Sequence, residues 1–267
     1  MARRGLGSAS VAVVTDPSGN RYVLKKHTAQ ERFDAEVHAY RTWVPSLGGH
    51  APRLLAADPD SRSLVLSFIP GTPVVDLPPG TSAQRRAFAA AGETLRRLHQ
   101  IPPGPRPSAD VPLYLANRMR WWTARARDAG LISPAECHEL DRTADRLART
   151  VVGSTICHLD YQPRNWLLTS DGSVCVVDFE HTRRDARVRD LVRLEYRWWR
   201  SDPRLREAFF AGYGHHLGEA EAELMIIFGM LDGLTSLVRG DQGLAAYGRT
   251  LLAELTSSRR EAAHGRA

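Results

Sequence analysis

The sequence predicts an α+β fold in two parts, a small antiparallel sheet followed by a larger, mainly helical remainder. Three observations carry that expectation. Short strand-like runs separated by turn residues fill residues 1–70. A Pro70-Gly71-Thr72-Pro73 break follows them. Beyond it, apolar residues recur mostly at helical spacing. The boundary is drawn at the break, giving one domain of residues 1–70 and a second of residues 71–267.

Taken in order, Gly5-Leu6-Gly7-Ser8-Ala9-Ser10 is a loop of small residues. Strands at 11–15 and 21–26 flank an Asp-Pro-Ser-Gly-Asn turn. Residues 30–44 form a helix, with Phe33, Val37, Tyr40 and Val44 on one stripe and Pro45 stopping it. Strands at 53–57 and 63–69 complete the sheet. Residues 81–101 are a helix with Ala87, Ala91, Leu95 and Leu98 in register, and His99 near its end reads as a satisfied core histidine. A proline-rich segment, 102–112, precedes helices at about 113–129 and 134–150. After residue 178 the chain is expected to be helical at 186–200, 203–217, 219–238 and 244–257, with the last ten residues frayed.

Composition excludes several classes. No apolar run approaches the ~20 residues that span a bilayer, and residues 5–14 are too small and polar for the core of a signal peptide. The chain is read as cytoplasmic, with no membrane partner. Cys137, Cys157 and Cys175 are far apart and form no Cys-x-x-Cys pair, so they read as reduced, packed thiols. The net charge of +6 raises the nucleic-acid class. However, the densest basic stretch, 118–127, overlaps a buried stripe of Leu115, Met119 and Trp122. Its arginines therefore lie on the wet faces of an amphipathic helix, and no nucleic-acid partner is expected. One count is sharper: of 36 basic residues only Lys25 and Lys26 are lysines. An ammonium kept at one place in an arginine-rich chain points to a position that a planar guanidinium does not suit.

The chemistry gathers at residues 155–180. An apolar run leads into a polar loop, a strand at 166–169, a Ser170-Asp171-Gly172-Ser173 turn and a second strand ending on Asp178. The hairpin sets Asn165 close to Asp178, with Asp160 on the loop leading in. Three oxygen-bearing side chains then converge at one end of a small sheet. Asp160 can accept the proton of an attacking hydroxyl, while Asn165 and Asp178 are hard oxygen ligands for Mg²⁺ on a triphosphate. A buried hairpin capped by an Asp and an Asn is the plain alternative. Upstream, Lys25 suits the α- and β-phosphates, and the backbone N–H groups of the loop with Gly5, Gly7 and Ser8 suit a flap over them. Lys26, on the opposite face of the strand, is the lesser candidate, and two surface lysines on an edge strand are the plain reading.

The spacing His158-x-Asp160-x4-Asn165, with Asp178-Phe179 beyond it, resembles the catalytic and metal-binding loops of the protein-kinase-like fold. Leu159 in place of arginine, and Glu180 where protein kinases carry glycine, direct the likeness to the aminoglycoside phosphotransferase and choline kinase branch. The resemblance implies a two-lobed protein-kinase-like fold, ATP or GTP with Mg²⁺, and transfer of the γ-phosphoryl to a hydroxyl of a small molecule. An aminoglycoside-like antibiotic, inactivated by the transfer, is the expected acceptor. A metabolite kinase or a catalytically silent nucleotide-binding protein is the alternative. Carried over residue by residue, Glu36 becomes the helix partner of Lys25, with Glu31 and Asp34 competing or serving as first-turn dipole partners. The backbone of Ser67, Phe68 and Ile69 becomes the hinge that takes the adenine edge. His158 orients the loop, and Asp190 either braces it or is a surface charge. Only four residues precede the glycine loop, so the strand that family members carry there is expected to be truncated or missing.

In the resembled family the helices after the metal aspartate build the acceptor pocket. Residues 201–256 hold eight acids against four arginines. Asp232, mid-helix among apolar residues, and Glu180 are therefore the candidate acceptor-binding groups for a cationic amino sugar. Solvated helix faces are the bland alternative, and a neutral nucleoside or polyketide is the next acceptor class.

Overall fold

A hairpin of β1 (Ala9–Thr15) and β2 (Arg21–His27) opens the fold. The computed structural model describes residues 9–102 and 111–264, with side chains to residue 257. The flap expected at Gly5, Gly7 and Ser8 lies outside the described residues, as does most of the proline-rich segment. Asp16 closes the hairpin by accepting the N–H groups of Ser18 and Asn20, each at 2.9 Å. β3 (Leu54–Asp58) and β4 (Ser63–Ser67) complete an antiparallel sheet of order β1-β2-β4-β3. Its register sets Val11 opposite Lys25 and Lys25 opposite Leu64, so all three share a face, while Lys26 is exposed on the other. α1 (Gln30–Thr42) packs on β2, β3 and β4, burying Phe33, Val37 and Tyr40. It ends before the predicted Val44, because Pro45 disfavours helical backbone in the residue ahead of it; a 3-10 stretch, Val44–His50, follows.

The described residues fall into two compact units. The first holds residues 9–102, 155–184 and 197–216. Besides the sheet and α1, it contains β5 (Thr72–Pro73), α2 (Ser82–His99), most of β6 (Ser154–Cys157), β7 (Trp166–Leu168), β8 (Val174–Val176) and α6 (Pro203–Tyr213). Thr81 caps α2 by accepting the Gln84 N–H at 3.2 Å. α2 and α6 cross at glycines: a Cβ on Gly92 would strike the Phe209 carbonyl, and one on Gly212 the Ala89 carbonyl. β5, β7 and β8 form a second antiparallel sheet in that order.

The second unit holds residues 111–154, 185–196 and 217–264. It is built from α3 (Val111–Asp128), α4 (Pro134–Arg149), the single turn α5 (Val192–Leu194), α7 (Glu219–Arg239) and α8 (Gln242–His264). A Ser133–Glu136 capping box starts α4. α7 is apolar over most of its circumference and is the core helix of this unit.

Two expectations need correction. Residues 186–200 are not one helix. A strand β9 (Arg183–Ala186), a 3-10 turn (Arg187–Asp190), α5 and a π-helical turn (Glu195–Trp199) occupy the region. The Arg-Arg-Asp-Ala of β9 has no apolar alternation, so nothing local marks it as a strand. α8 also runs on to His264, through a Glu-Ala-Ala run of good helix formers, rather than fraying from residue 258. Among the described residues no helix is long and apolar enough to cross a membrane.

Candidate active site

Asp160 lies between β6 and a 3-10 turn, Pro163–Asn165. The buried His158 before it acts as a strut. Its Nε2 donates to the Val177 carbonyl at 3.1 Å and its Nδ1 accepts the Asp160 N–H at 3.2 Å, which requires the proton on Nε2. Leu159, between them, has φ 62°, a left-handed backbone that costs a non-glycine residue about 1 kcal/mol or more. Three donors converge on the Asp160 carboxylate. Gln162 Nε2 reaches Oδ1 at 2.6 Å, while Arg164 Nη2 and Asn165 Nδ2 reach Oδ2 at 2.7 and 2.8 Å. Sequence reasoning missed Gln162 and Arg164. Their signal was spacing alone, two and four residues past the base across a proline turn.

Asn165 Nδ2 also donates to the Asp160 carbonyl at 2.9 Å, which leaves the amide oxygen as the atom able to meet a cation. The Val177 N–H donates to the Asn165 carbonyl at 3.0 Å, so Asn165 stands across the hairpin from the residue before Asp178. Trp166 opposite Val176 and Gly172 with φ 85° in the turn set that register. Asp178 itself has φ 72°.

The Lys25 ammonium joins this end of the hairpin to the first sheet. It lies 2.5 Å from Asp178 Oδ1, 2.7 Å from Glu36 Oε2 and 3.5 Å from Glu180 Oε2. Glu36 thus meets Lys25 directly, whereas Glu31 and Asp34 are exposed. Glu36 is fully buried, and its Oε1 accepts the Phe179 N–H at 3.2 Å. Phe179 packs edge-on to Tyr40 and tilted against His158, with ring centroids 5.4 and 5.0 Å away. Burial works against the Lys25 charge, but Glu36 and Asp178 outweigh it and hold the ammonium above its ordinary pKa. Burial likewise pushes the Asp178 carboxyl up, and the charge and hydrogen bond of Lys25 bring it net below the usual carboxylate range.

The donor set fits a hard divalent cation. Asn165 offers an amide oxygen, and the Asp178 side chain, bonded to Lys25 through Oδ1, is 36% exposed. At the expected hinge, the Ser67 N–H is committed to the Arg53 carbonyl at 2.9 Å and is not open to a base. The Phe68 ring lies under Arg21, 3.8 Å from its guanidinium carbon. Val11 and Val13 are 40% and 49% exposed on the face that carries Lys25.

Other expected residues lie elsewhere. Glu180 is 7% exposed and turned into the lysine cluster, so it is not an open acceptor group. Asp232, within the second unit, receives Arg193 Nε and the Tyr247 hydroxyl, each at 3.3 Å. Glu221 is bonded by Arg187 and Glu223 by Arg146. The acidic surplus of residues 201–256 is therefore met by arginines from other segments, which a window count does not register. Asp190 is buried and not a surface charge, and His99 is half-buried, its Nδ1 2.7 Å from the Tyr213 hydroxyl. None of the three cysteines forms a disulfide among the described residues.

A buried lysine on β2 of the four-stranded sheet thus meets a glutamate of α1 and the two acids that follow the β7–β8 hairpin. The chain belongs to the phosphotransferase enzyme family (APH), whose model matches residues 2–225, and it is an O-phosphotransferase that takes an alcohol group as acceptor. A thermostable mutant of aminoglycoside phosphotransferase APH(4)-Ia superposes with a TM-score of 0.72 at 14% identity, over 97% of this chain and 94% of that one. Macrolide 2'-phosphotransferase MphH from Brachybacterium faecium gives 0.68 at 17% identity, over 94% and 91%. A choline/ethanolamine kinase family protein from Mesorhizobium loti gives 0.64 at 18% identity, over 96% and 87%. These identities speak to fold alone. No curated protein matches the sequence significantly.

Proposed function

We propose that the protein moves the γ-phosphoryl group of ATP or GTP to a hydroxyl of an antibiotic and so inactivates it. The observation that supports this best is the meeting of Lys25 with Glu36 and Asp178 in one buried cluster. In this reading residues 1–70 are the nucleotide-binding lobe and residues 71–267 the catalytic and acceptor-binding lobe of a cytoplasmic enzyme. Lys25 holds the α- and β-phosphates. The base lies against Val11 and Val13, with its edge on the backbone of Phe68 and Ile69. Asn165 and Asp178 hold Mg²⁺, which neutralises phosphate charge when bound. Asp160 accepts the hydroxyl proton as the new O–P bond forms and the bond to the β-phosphate oxygen breaks. The three donors fix the orientation of the Asp160 carboxylate. That suits a loose transition state in which orienting the hydroxyl counts for more than removing its proton early.

An aminoglycoside-like acceptor follows the family likeness. The pairing of Glu221, Glu223 and Asp232 with arginines removes the argument for a polycation from charge, so a polyketide of the macrolide type is the second reading. Steady-state assays with ATP or GTP, Mg²⁺ and a panel of aminoglycosides, macrolides and amino alcohols test both. Phosphorylation of one antibiotic class supports the proposal. Turnover of amino alcohols alone replaces it with a metabolite kinase, and nucleotide binding without any turnover replaces it with a silent nucleotide-binding protein.

A further inference from the structure

β2 brings a second basic side chain into the lysine cluster. His27 stands two residues beyond Lys25 on the same face of the strand and is 1% exposed. Its Nε2 lies 2.7 Å from Glu36 Oε2. Its Nδ1 lies 3.5 Å from Glu180 Oε2 and makes no hydrogen bond. The ligand atoms of His27, Glu36 and Glu180 lie within 4.8 Å of one another, a spacing that could hold a metal ion. Lys25 Nζ, however, is 2.7 Å from the same Glu36 oxygen and 3.5 Å from the same Glu180 oxygen. An ammonium already bridging the two carboxylates stands where a divalent cation would have to go.

We infer that His27 is a positioning residue for nucleotide binding, resting on the reading of Lys25 as the phosphate-binding lysine. Glu36 Oε2 is shared between Lys25 and His27, and Oε1 is held by Phe179. The imidazole therefore meets part of the demand of the buried Glu36 Oε2, which would otherwise fall on Lys25. It also contacts both Glu36 and Glu180, two of the three acids that face the ammonium. With His27 in place, Lys25 is held at a defined point and keeps a donor for a phosphate oxygen. Without it, both carboxylates draw on Lys25, which retracts from the phosphates.

The test uses two polar variants that differ in reach. In His27→Gln the amide nitrogen falls near the position of Nε2 and can bond Glu36; in His27→Asn it falls near Nδ1 and cannot. The dissociation constant of Mg·ATP is measured by calorimetry, which needs no acceptor, with Lys25→Ala as reference and thermal melting to verify folding. His27→Asn is expected to weaken nucleotide binding about 10-fold or more, the scale of lost supporting hydrogen bonds at a binding site. His27→Gln is expected to stay near wild type, and the KM for acceptor to be unchanged in both. Wild-type affinity in His27→Asn, equal loss in both folded variants, or a loss confined to acceptor KM would overturn the inference. A wild-type protein that binds no nucleotide, or a Lys25→Ala variant that binds it normally, would remove the reading of Lys25 and the inference with it.

Discussion

Asp160 and Lys25 should respond to substitution in different ways because their surroundings differ. Asp160→Asn is nearly isosteric but cannot take the hydroxyl proton. It is expected to lower turnover by ~10²-fold or more while leaving Mg·nucleotide affinity close to wild type, as single-turnover and binding measurements would reveal. A variant that kept most of its turnover would contradict the base assignment. At Lys25 the constraint is shape. A point charge sits among Glu36, Asp178 and Glu180 within 3.5 Å, where a flat guanidinium fork does not fit. Lys25→Arg should therefore raise nucleotide KM nearly as much as Lys25→Ala. Lys26→Arg, on the exposed face, should be silent; equal tolerance at both positions would show that the two lysines survive by chance.

At the scale of elements, local pattern and long-range packing divide the structure between them. The α1 stripe of Phe33, Val37 and Tyr40 and the Asp-Gly turn of the β7–β8 hairpin are legible because periodicity and turn chemistry are local. β9 and the π-helical turn at Glu195–Trp199 are not, since neither carries a period of its own. The crossing of α2 and α6 was equally hidden, as isolated glycines inside helices carry no label for the surface they approach. It makes a test: Gly212→Ala improves intrinsic helix propensity but forces a methyl onto the Ala89 carbonyl. The expected net effect is a loss of about 1–3 kcal/mol, read from the denaturant midpoint. A gain in stability would mean that the two helices separate at no cost.

Across the whole molecule, His181 gives an acid-side dependence whose sign follows from its surroundings. Burial first, and then the charge of Arg32, bring its pKa down from 6.5 to about 4. Between those values the unfolded chain binds more protons than the folded one. Stability therefore rises with pH across that window and declines as pH falls through it. Discounted for the ring's 33% exposure, the effect is roughly 1–2 kcal/mol. His181→Asn should flatten the decline, seen as urea midpoints at about pH 7 and pH 4.5 that lie closer together than in wild type. Lys25 acts at the other end. Its raised pKa means its contribution is complete below 10.5 and is lost as pH climbs through the folded value.

The sequence by itself determined the α+β class, the kinase-like family resemblance and the candidate reacting residues. His158-x-Asp160-x4-Asn165 and the hairpin ending on Asp178 lie within one short stretch, so their convergence needs only local geometry. What only the tertiary structure decided is which charges meet. Glu36 prevails over Glu31 and Asp34, His27 enters the lysine cluster, and Arg164 bonds Asp160. Arginines 146, 187 and 193 neutralise acids that look unopposed in a window of sequence. Electrostatic partners act through distance in space, and the packing of elements far apart in the chain sets that distance.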